Sequence, residues 1–277
     1  MIALFNKDCF EGMKTEVEPH SVNLVLTDPP FNCTDAHWEK KLDLELFKKT
    51  LRTCCDKKAL FVCFSLQPFT SYVITTFKQC FKYMLYWDKH RKTGYMNAPK
   101  VPLRVIEEII VMKLFPKEYG QVYNPQMVKR EKPIWVKSAP TPLYKPKEGF
   151  IYGRKHLAPY AYPTNLISQV LNQKEQFHPT QKPSELVEWL VKTYSNEGDL
   201  ILDPFSGSAT TAVACIRTNR NFIGFELDPI YFEKAVVRIE NEKKIKAIGG
   251  EKIEKLPILI PPQPKIKPKK EKQLYLF

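Results

Sequence analysis

The sequence predicts an α/β protein built on a mostly parallel sheet with helices on both faces. Two observations carry this. Short, mostly apolar runs at residues 22–27, 59–65 (ALFVCFS) and 200–202 alternate with stretches of helical periodicity, and a strand apolar on both sides is one buried between two helical layers. Three such runs also stop abruptly at an acidic residue: Asp28 before Pro29 and Pro30, Asp203 before Pro204, and Glu226 after residues 222–225. Ligands of open α/β sheets bind outside the carboxyl ends of the strands.

In chain order, residues 22–27 form a strand halted by Pro29 and Pro30, since neither a helix nor a central strand continues through two prolines. Leu42, Leu46, Lys49 and Thr50 begin a helix, residues 59–65 are the next strand, Pro68 opens a helix over 68–80, and 83–87 and 105–114 are further strands. From 115 to 177 the texture changes, because Pro116, Pro125, Pro133, Pro140, Pro142, Pro146, Pro159 and Pro163 interrupt every candidate helix. Basic and aromatic residues interleave through this insert. Lys129, Arg130, Lys132, Arg154 and Lys155 are suited to tracking phosphates, whereas Tyr119, Tyr123, Trp135, Tyr144, Tyr152 and Tyr160 either stack on bases or fill a small core. Regular structure returns at Pro183, where Leu186, Val187, Leu190, Val191 and Tyr194 share one helix face. A strand at 200–202, a helix at 207–217, a strand at 222–225 and a helix at 229–244 follow. The proline- and lysine-rich tail from Leu256 reads as an extended linker.

A chain of 277 residues fits one catalytic domain with an inserted lobe. Lys and Arg outnumber Asp and Glu 43 to 30, a net charge of +13 that favours a polyanionic partner, nucleic acid first. The cysteines (Cys9, Cys33, Cys54, Cys55, Cys63, Cys80 and Cys215) contain no C-x-x-C pair and lie mostly in apolar stretches, as reduced core thiols of a cytoplasmic protein do. Neither a signal-peptide apolar stretch nor an apolar run of membrane-spanning length is expected. His178 stands without cysteine partners at metal-site spacing, and no metal is expected.

Two constellations carry chemistry. Residues 203–211 (DPFSGSATT) form a loop of small residues between a strand and a helix, where a backbone can approach a ligand. Glu226 at the tip of the following strand is placed to accept both hydroxyls of a ribose. At 27–32 (TDPPFN), Asp28 and the carbonyl of Pro29 offer two acceptors at a strand end. An exocyclic amine conjugated into a base is a poor nucleophile; two acceptors draw its nitrogen toward tetrahedral geometry and free the lone pair. Phe31 then stacks on a base that has left its duplex.

In this order, with the insert between them, the two constellations resemble the amino-methyltransferase family of DNA methyltransferases in its β arrangement, where a D-P-P-[YFW] motif precedes the target-recognition region and D-P-F-x-G-S-G-T follows it. The resemblance runs from about Leu4 to Glu240. It implies a Rossmann-like fold with a seven-stranded, mostly parallel sheet containing one antiparallel strand. It also divides the chain into a catalytic half (1–114), a target-recognition insert (115–177), a cofactor-binding half (178–245) and a basic tail (246–277). The cofactor implied is S-adenosylmethionine and the partner double-stranded DNA. Asp28, Pro29, Pro30 and Phe31 are then catalytic. Asp8, in a segment resembling the family's G-D-C element, meets the cofactor's adenine ring, and Thr180 and Lys182, in H-P-T-Q-K-P, hold its methionine end. Asp203 lies by the methionine amino group, Phe205 beside the rings, Gly207 and Ser208 along the backbone, and Glu226 on the ribose. Three positions depart from the pattern: Lys7 for Gly, Phe31 for the commoner Tyr, and Ala209 for Gly, an added methyl that the start of a helix accommodates.

Asp28 is the residue of the family's adenine-N6 members, whereas cytosine-N4 members usually carry Ser, so the expected product is N6-methyladenine in a specific DNA sequence. Cytosine-N4 methylation is the alternative, and a non-catalytic DNA-binding scaffold the rival from another class. Gln273, Leu274, Leu276 and Phe277 end the chain in a peptide resembling the one by which bacterial replication proteins dock on the sliding clamp.

Overall fold

The computed structural model describes residues 1–31, 42–137, 155–168 and 181–248. Arg154, Thr180 and the terminal residues Gln273, Leu274, Leu276 and Phe277 lie outside them. The elements follow the chain as β1 (Ile2–Phe5), α1 (Cys9–Thr15), β2 (Val22–Thr27), α2 (Leu44–Cys54), β3 (Cys55–Ser65), α3 (Phe69–Thr76), β4 (Phe81–Thr93), β5 (Arg104–Lys113), β6 (Val128–Lys137), β7 (Lys155–Ala161), β8 (Leu166–Ser168), α4 (Ser184–Tyr194), β9 (Leu200–Asp203), α5 (Thr210–Arg217), β10 (Asn221–Phe225) and α6 (Pro229–Ala247).

The main sheet has the order β1-β10-β9-β2-β3-β5-β4-β8. Neighbours pair in parallel except β5, which runs antiparallel to both β3 and β4. A mostly parallel sheet with one antiparallel strand is therefore present, but it has eight strands among the described residues, not seven. The extra one is β8, whose Leu166 pairs with Tyr86 on the outer edge of β4. Three residues are too short to show a period of two. Missing from the expectation, too, are β1 and α1. Asp8 begins that helix by accepting from the backbone N–H of Phe10 and Glu11 at 2.9 and 3.3 Å, the N-cap pattern that satisfies first-turn donors.

Side chains alternate across the sheet as the strand period requires. On β3, Leu60, Val62 and Phe64 face one core with Leu190, Ala212 and Ile239 of the carboxyl-terminal helices. Ala59, Phe61 and Cys63 face the other, with Met13, Phe47 and Val73 of α1, α2 and α3. Burial on both faces explains why this strand reads as an unbroken apolar run. The described cysteines are buried free thiols, in keeping with the sequence reading. None of the described helices is long and apolar enough to cross a membrane.

Two boundaries differ for local reasons. The helix expected from 207 starts at Thr210, because Gly207 and Ala209 have left-handed φ values of 49° and 56°. Ala209 is thus not in a helical conformation, and its methyl group sits where the resemblance has Gly, at a position that disfavours a Cβ. The insert contains no helix among its described residues; β6 and β7 form a separate antiparallel ribbon. Its register shifts between Lys129 and Ile134, across Pro133, and a two-stranded ribbon has a free edge where a missing N–H costs little.

Candidate active site

From the centre of the sheet the chain passes outward from β9 to β10 on one side, where β1 forms the edge, and from β2 to β3 on the other. The carboxyl ends of β9 and β2 therefore flank the crevice where an open α/β sheet opens a binding site. Asp203 ends β9, and Asp28 follows the last residue of β2. The two ends are joined by side chains: Thr27 Oγ1 donates to Asp203 Oδ1 at 2.7 Å. Thr211 Oγ1 donates to Asp203 Oδ2 at 2.6 Å, and the Phe205 N–H to Oδ1 at 3.2 Å. Burial raises the Asp203 carboxyl to about 6, opposed by these donors.

Beyond Asp203 the small-residue loop folds back against β10. Ser206 Oγ donates to the Asp203 carbonyl at 3.1 Å, and its N–H to the Phe225 carbonyl at 2.9 Å. Gly224 makes this approach possible, because a Cβ there would lie 2.2 Å from Ser206 Oγ. The Gly207 N–H donates to Glu226 Oε2 and the Asp228 N–H to Oε1, both at 2.8 Å. The Glu226 carboxylate is thereby fixed at the strand tip, with burial raising its pKa against these two donors. Asn6 Nδ2 donates to the carbonyls of Glu226 and Leu227 at 2.8 and 3.2 Å. This bond ties the end of β1, and exposed Asp8 just after it, to the end of β10. Ser208 is buried, with its hydroxyl 3.0 Å from Thr210 Oγ1, and the Phe205 ring packs on Phe47 at 5.7 Å between centroids.

Across the crevice, Asp28 Oδ2 accepts from Lys182 Nζ at 2.7 Å. Asp28 Oδ1 is shut off from solvent and has no hydrogen-bond partner among the described residues. Lys182, expected from the resemblance to hold the methionine end of the cofactor, donates here to the Asp28 carboxylate. Its ammonium lies on the catalytic motif, with Glu107 Oε2 of β5 at 3.4 Å and the rings of Phe64 and Phe31 at 5.1 and 6.0 Å. Glu107 Oε1 in turn accepts from Lys89 Nζ of β4 at 3.0 Å. Burial raises the pKa of Asp28, opposed by Lys182 and reinforced by Glu107. For Lys182, burial acts downward, but Asp28 and then Glu107 outweigh it and leave the group above its ordinary value. Burial likewise pushes Glu107 up, and the ammonium groups of Lys182 and Lys89 reverse the shift. The cluster thus alternates acid and base along Asp28, Lys182, Glu107 and Lys89.

The structure therefore gathers Asp28, Phe31 and Lys182 at the end of β2, and Asp203, Gly207 and Glu226 across from them at the ends of β9 and β10, with Asp8 following β1. Lys129, Arg130 and Lys132 lie apart from them on the β6–β7 ribbon. Lys129 and Lys132 are exposed, and Arg130 Nε donates to the Tyr160 carbonyl at 3.3 Å. Glu107 and Lys89 were assigned no role from the sequence, although the segments holding them, Trp87-Asp88-Lys89 and Arg104 to Lys113, resemble family segments flanking the target-base pocket. The signal was present, since Glu107 and Glu108 interrupt an otherwise apolar strand, and an acid in such a place needs a partner.

The chain is similar to known proteins. The family model of N6/N4 amino-methyltransferases, described as DNA methylase, matches residues 22–237. DNA adenine methyltransferase YhdJ of Escherichia coli (strain K12) is 26% identical over 81% of this chain and 78% of its own length. The crystal structure of the M1.HpyAVI–SAM complex superposes with a TM-score of 0.56 at 26% identity, covering 86% of this chain and all (100%) of that one. PvuII DNA methyltransferase, titled cytosine-N4-specific, shares the fold with a TM-score of 0.58 at 17% identity, over 89% of this chain and 92% of its own. With both constellations at one crevice and the family match running across each of them, the chain belongs to the N6/N4 DNA methylase family and is a DNA methyltransferase.

Proposed function

We propose that the protein transfers the methyl group of S-adenosylmethionine to N6 of an adenine turned out of duplex DNA. The observation that carries this reading is Asp28 Oδ1, an enclosed acceptor without a donor. Burying an acceptor unsatisfied is costly, and such groups persist where a ligand completes them. An N–H of the adenine amino group supplies the missing donor. The acidic residue at this position is also what distinguishes the adenine reading from the cytosine-N4 one.

The crevice suits the cofactor by its chemistry. Its Glu226 carboxylate is fixed by two backbone N–H groups and keeps lone pairs for a ribose diol, and Asn6, two residues before Asp8, bonds the Glu226 carbonyl. Buried Asp203 places negative charge by the loop, appropriate to a ligand bearing ammonium and sulfonium charges. When bound, S-adenosylmethionine supplies an electrophilic methyl group. Asp28 accepts one amine N–H, and the Pro29 carbonyl the other, so the nitrogen lone pair turns out of the ring plane before attack. Phe31 packs on Phe69 at 5.4 Å between centroids, which steadies a ring assigned to stack on the base. The proton lost on transfer leaves by way of Asp28, whose raised pKa makes it a competent acceptor.

The test is to incubate the protein with unmethylated DNA and S-adenosylmethionine, digest to nucleosides and identify the methylated base by mass. N6-methyladenine is expected, with product formation falling on the order of 100-fold or more in Asp28→Ala. N4-methylcytosine as the product would overturn the assignment of the target atom. Unchanged activity in Asp28→Ala would overturn the mechanism.

A further inference from the structure

The cluster behind Asp28 has more parts than accepting a hydrogen bond requires. A carboxylate at the mouth of a crevice ionises unaided, but here the side chain is 21% exposed, with one oxygen sealed from solvent. Lys182, whose side chain is 9% exposed, reaches it from the segment before α4. A lysine this deep needs its own compensation, and Glu107 of β5 gives it, anchored from the other side by Lys89 of β4. Four charges of alternating sign, Asp28, Lys182, Glu107 and Lys89, thus run from the reacting end of β2 across three other chain segments. Geometry gives each a distinct part. Lys182 occupies Oδ2 and so fixes the rotation of the carboxylate, which leaves Oδ1 as the acceptor for a base. Glu107 lies 3.4 Å from the same ammonium and competes with Asp28 for it.

We infer that Lys182 and Glu107 are positioning residues of the methyl transfer, Lys182 holding Asp28 charged and turned toward the target base, and Glu107 restraining how strongly Lys182 does so. The inference rests on the adenine-amine reading of Asp28. It assigns Lys182 to the target base and removes it from the methionine end of the cofactor. Around Asp28, the other titratable groups among the described residues are Asp203 on β9 and the buried thiol of Cys63 on β3. Cys63 is neutral, its pKa pushed up first by burial and then by Asp28. Asp203 adds negative charge above about pH 6. Neither changes between the variants below, so differences between those variants report Lys182 and Glu107.

Transfer requires Asp28 in its charged form, so the rate falls on the acid side as Asp28 is protonated. Loss of the Lys182 charge leaves burial unopposed and moves this acid limb to higher pH. Loss of the Glu107 charge removes a repulsion and moves it to lower pH. A residue serving only to support the fold does not shift the profile in opposite directions. The experiment measures single-turnover methyl transfer from pH 5 to 9 for wild type, Lys182→Met, Lys182→Arg and Glu107→Gln. Calorimetric affinity for S-adenosylmethionine is measured alongside. The acid limb is expected to move up by about one pH unit in Lys182→Met, equal to a tenfold lower rate on the limb. It is expected to move down in Glu107→Gln and to lie near wild type in Lys182→Arg, with cofactor affinity unchanged within about threefold, well inside one decade of binding. Limbs that do not move, or that move together, overturn the inference. Loss of cofactor affinity in Lys182→Met also overturns it, and returns that lysine to the cofactor. Should Lys182→Met not fold, the directions in Glu107→Gln and Lys182→Arg decide. An inactive Asp28→Ala beside unshifted Lys182 and Glu107 variants sinks this inference alone; an active Asp28→Ala sinks the reading beneath it.

Discussion

Asp203 shows how a single side chain serves the site at a cost to the fold. It is 4% exposed, and three donors satisfy its oxygens without a cation among them. Its native pKa of about 6 exceeds the ordinary aspartate value of about 3.9. The native state then holds a proton that the unfolded chain has released. Its contribution to stability is complete below about pH 4 and lost as pH rises through about 6. Asp203→Asn abolishes this slope, since the amide does not titrate and still accepts from Thr27. Relative to wild type, the variant is expected to gain on the order of 2 kcal/mol between pH 4 and pH 7.5, measured as the difference in urea-unfolding free energy. A difference that stays flat with pH means the carboxyl is not perturbed as described. At this scale the sequence was most informative where a residue's type alone restricts its chemistry. Asp28, Asp203 and Glu226 were legible as acids ending apolar strands. The partner of Lys182 was not, because the pairing joins residues 154 positions apart, and nothing local encodes that contact.

Elements were legible in proportion to how much periodic apolar sequence they carry. The buried strands β2, β3 and β9 and the helix α4 stood out because burial on one or two faces leaves an apolar pattern. By contrast, β4 runs on through the polar residues 89–93, where its register with β5 shifts between Asp88 and Thr93 before Thr93 pairs with Arg104. The start of α5 was misplaced because left-handed φ at Gly207 and Ala209 depends on the loop's contact with β10, not on local propensity. That contact is testable. A Cβ on Gly224 would meet Ser206 Oγ at 2.2 Å and Phe222 Cζ at 2.3 Å, distances that require the loop or the ring to move. Gly224→Ala is expected to destabilise the protein by about 1–3 kcal/mol, the usual cost of overpacking. It should also weaken S-adenosylmethionine binding by displacing Gly207 from Glu226. Calorimetric affinity together with a thermal melt checks both; wild-type affinity in a destabilised variant would detach the loop's position from cofactor binding.

For the whole molecule, the +13 charge and the division of labour between sheet and insert belong together. At the crevice, Lys182 before α4 and Lys89 of β4 are paired with carboxylates. On the β6–β7 ribbon, Lys129 and Lys132 are exposed and are in none of the salt bridges among the described residues. The sequence could show that the insert is basic but not that it is a ribbon, because its prolines exclude helices without specifying which strands pair. Free lysines on a ribbon are suited to neutralising phosphates, and each phosphate neutralised releases condensed counterion. If Lys129 and Lys132 each meet a phosphate, the Lys129→Ala, Lys132→Ala double variant should bind DNA more weakly at low salt. The slope of log K against log salt should become shallower by about 2. Fluorescence anisotropy on one duplex from 50 to 200 mM salt, on the order of a fourfold range, resolves a change of that size. Cofactor affinity should stay at the wild-type value, since neither lysine lies at the crevice. An unchanged slope would place the DNA backbone on another face and leave the ribbon to a different task.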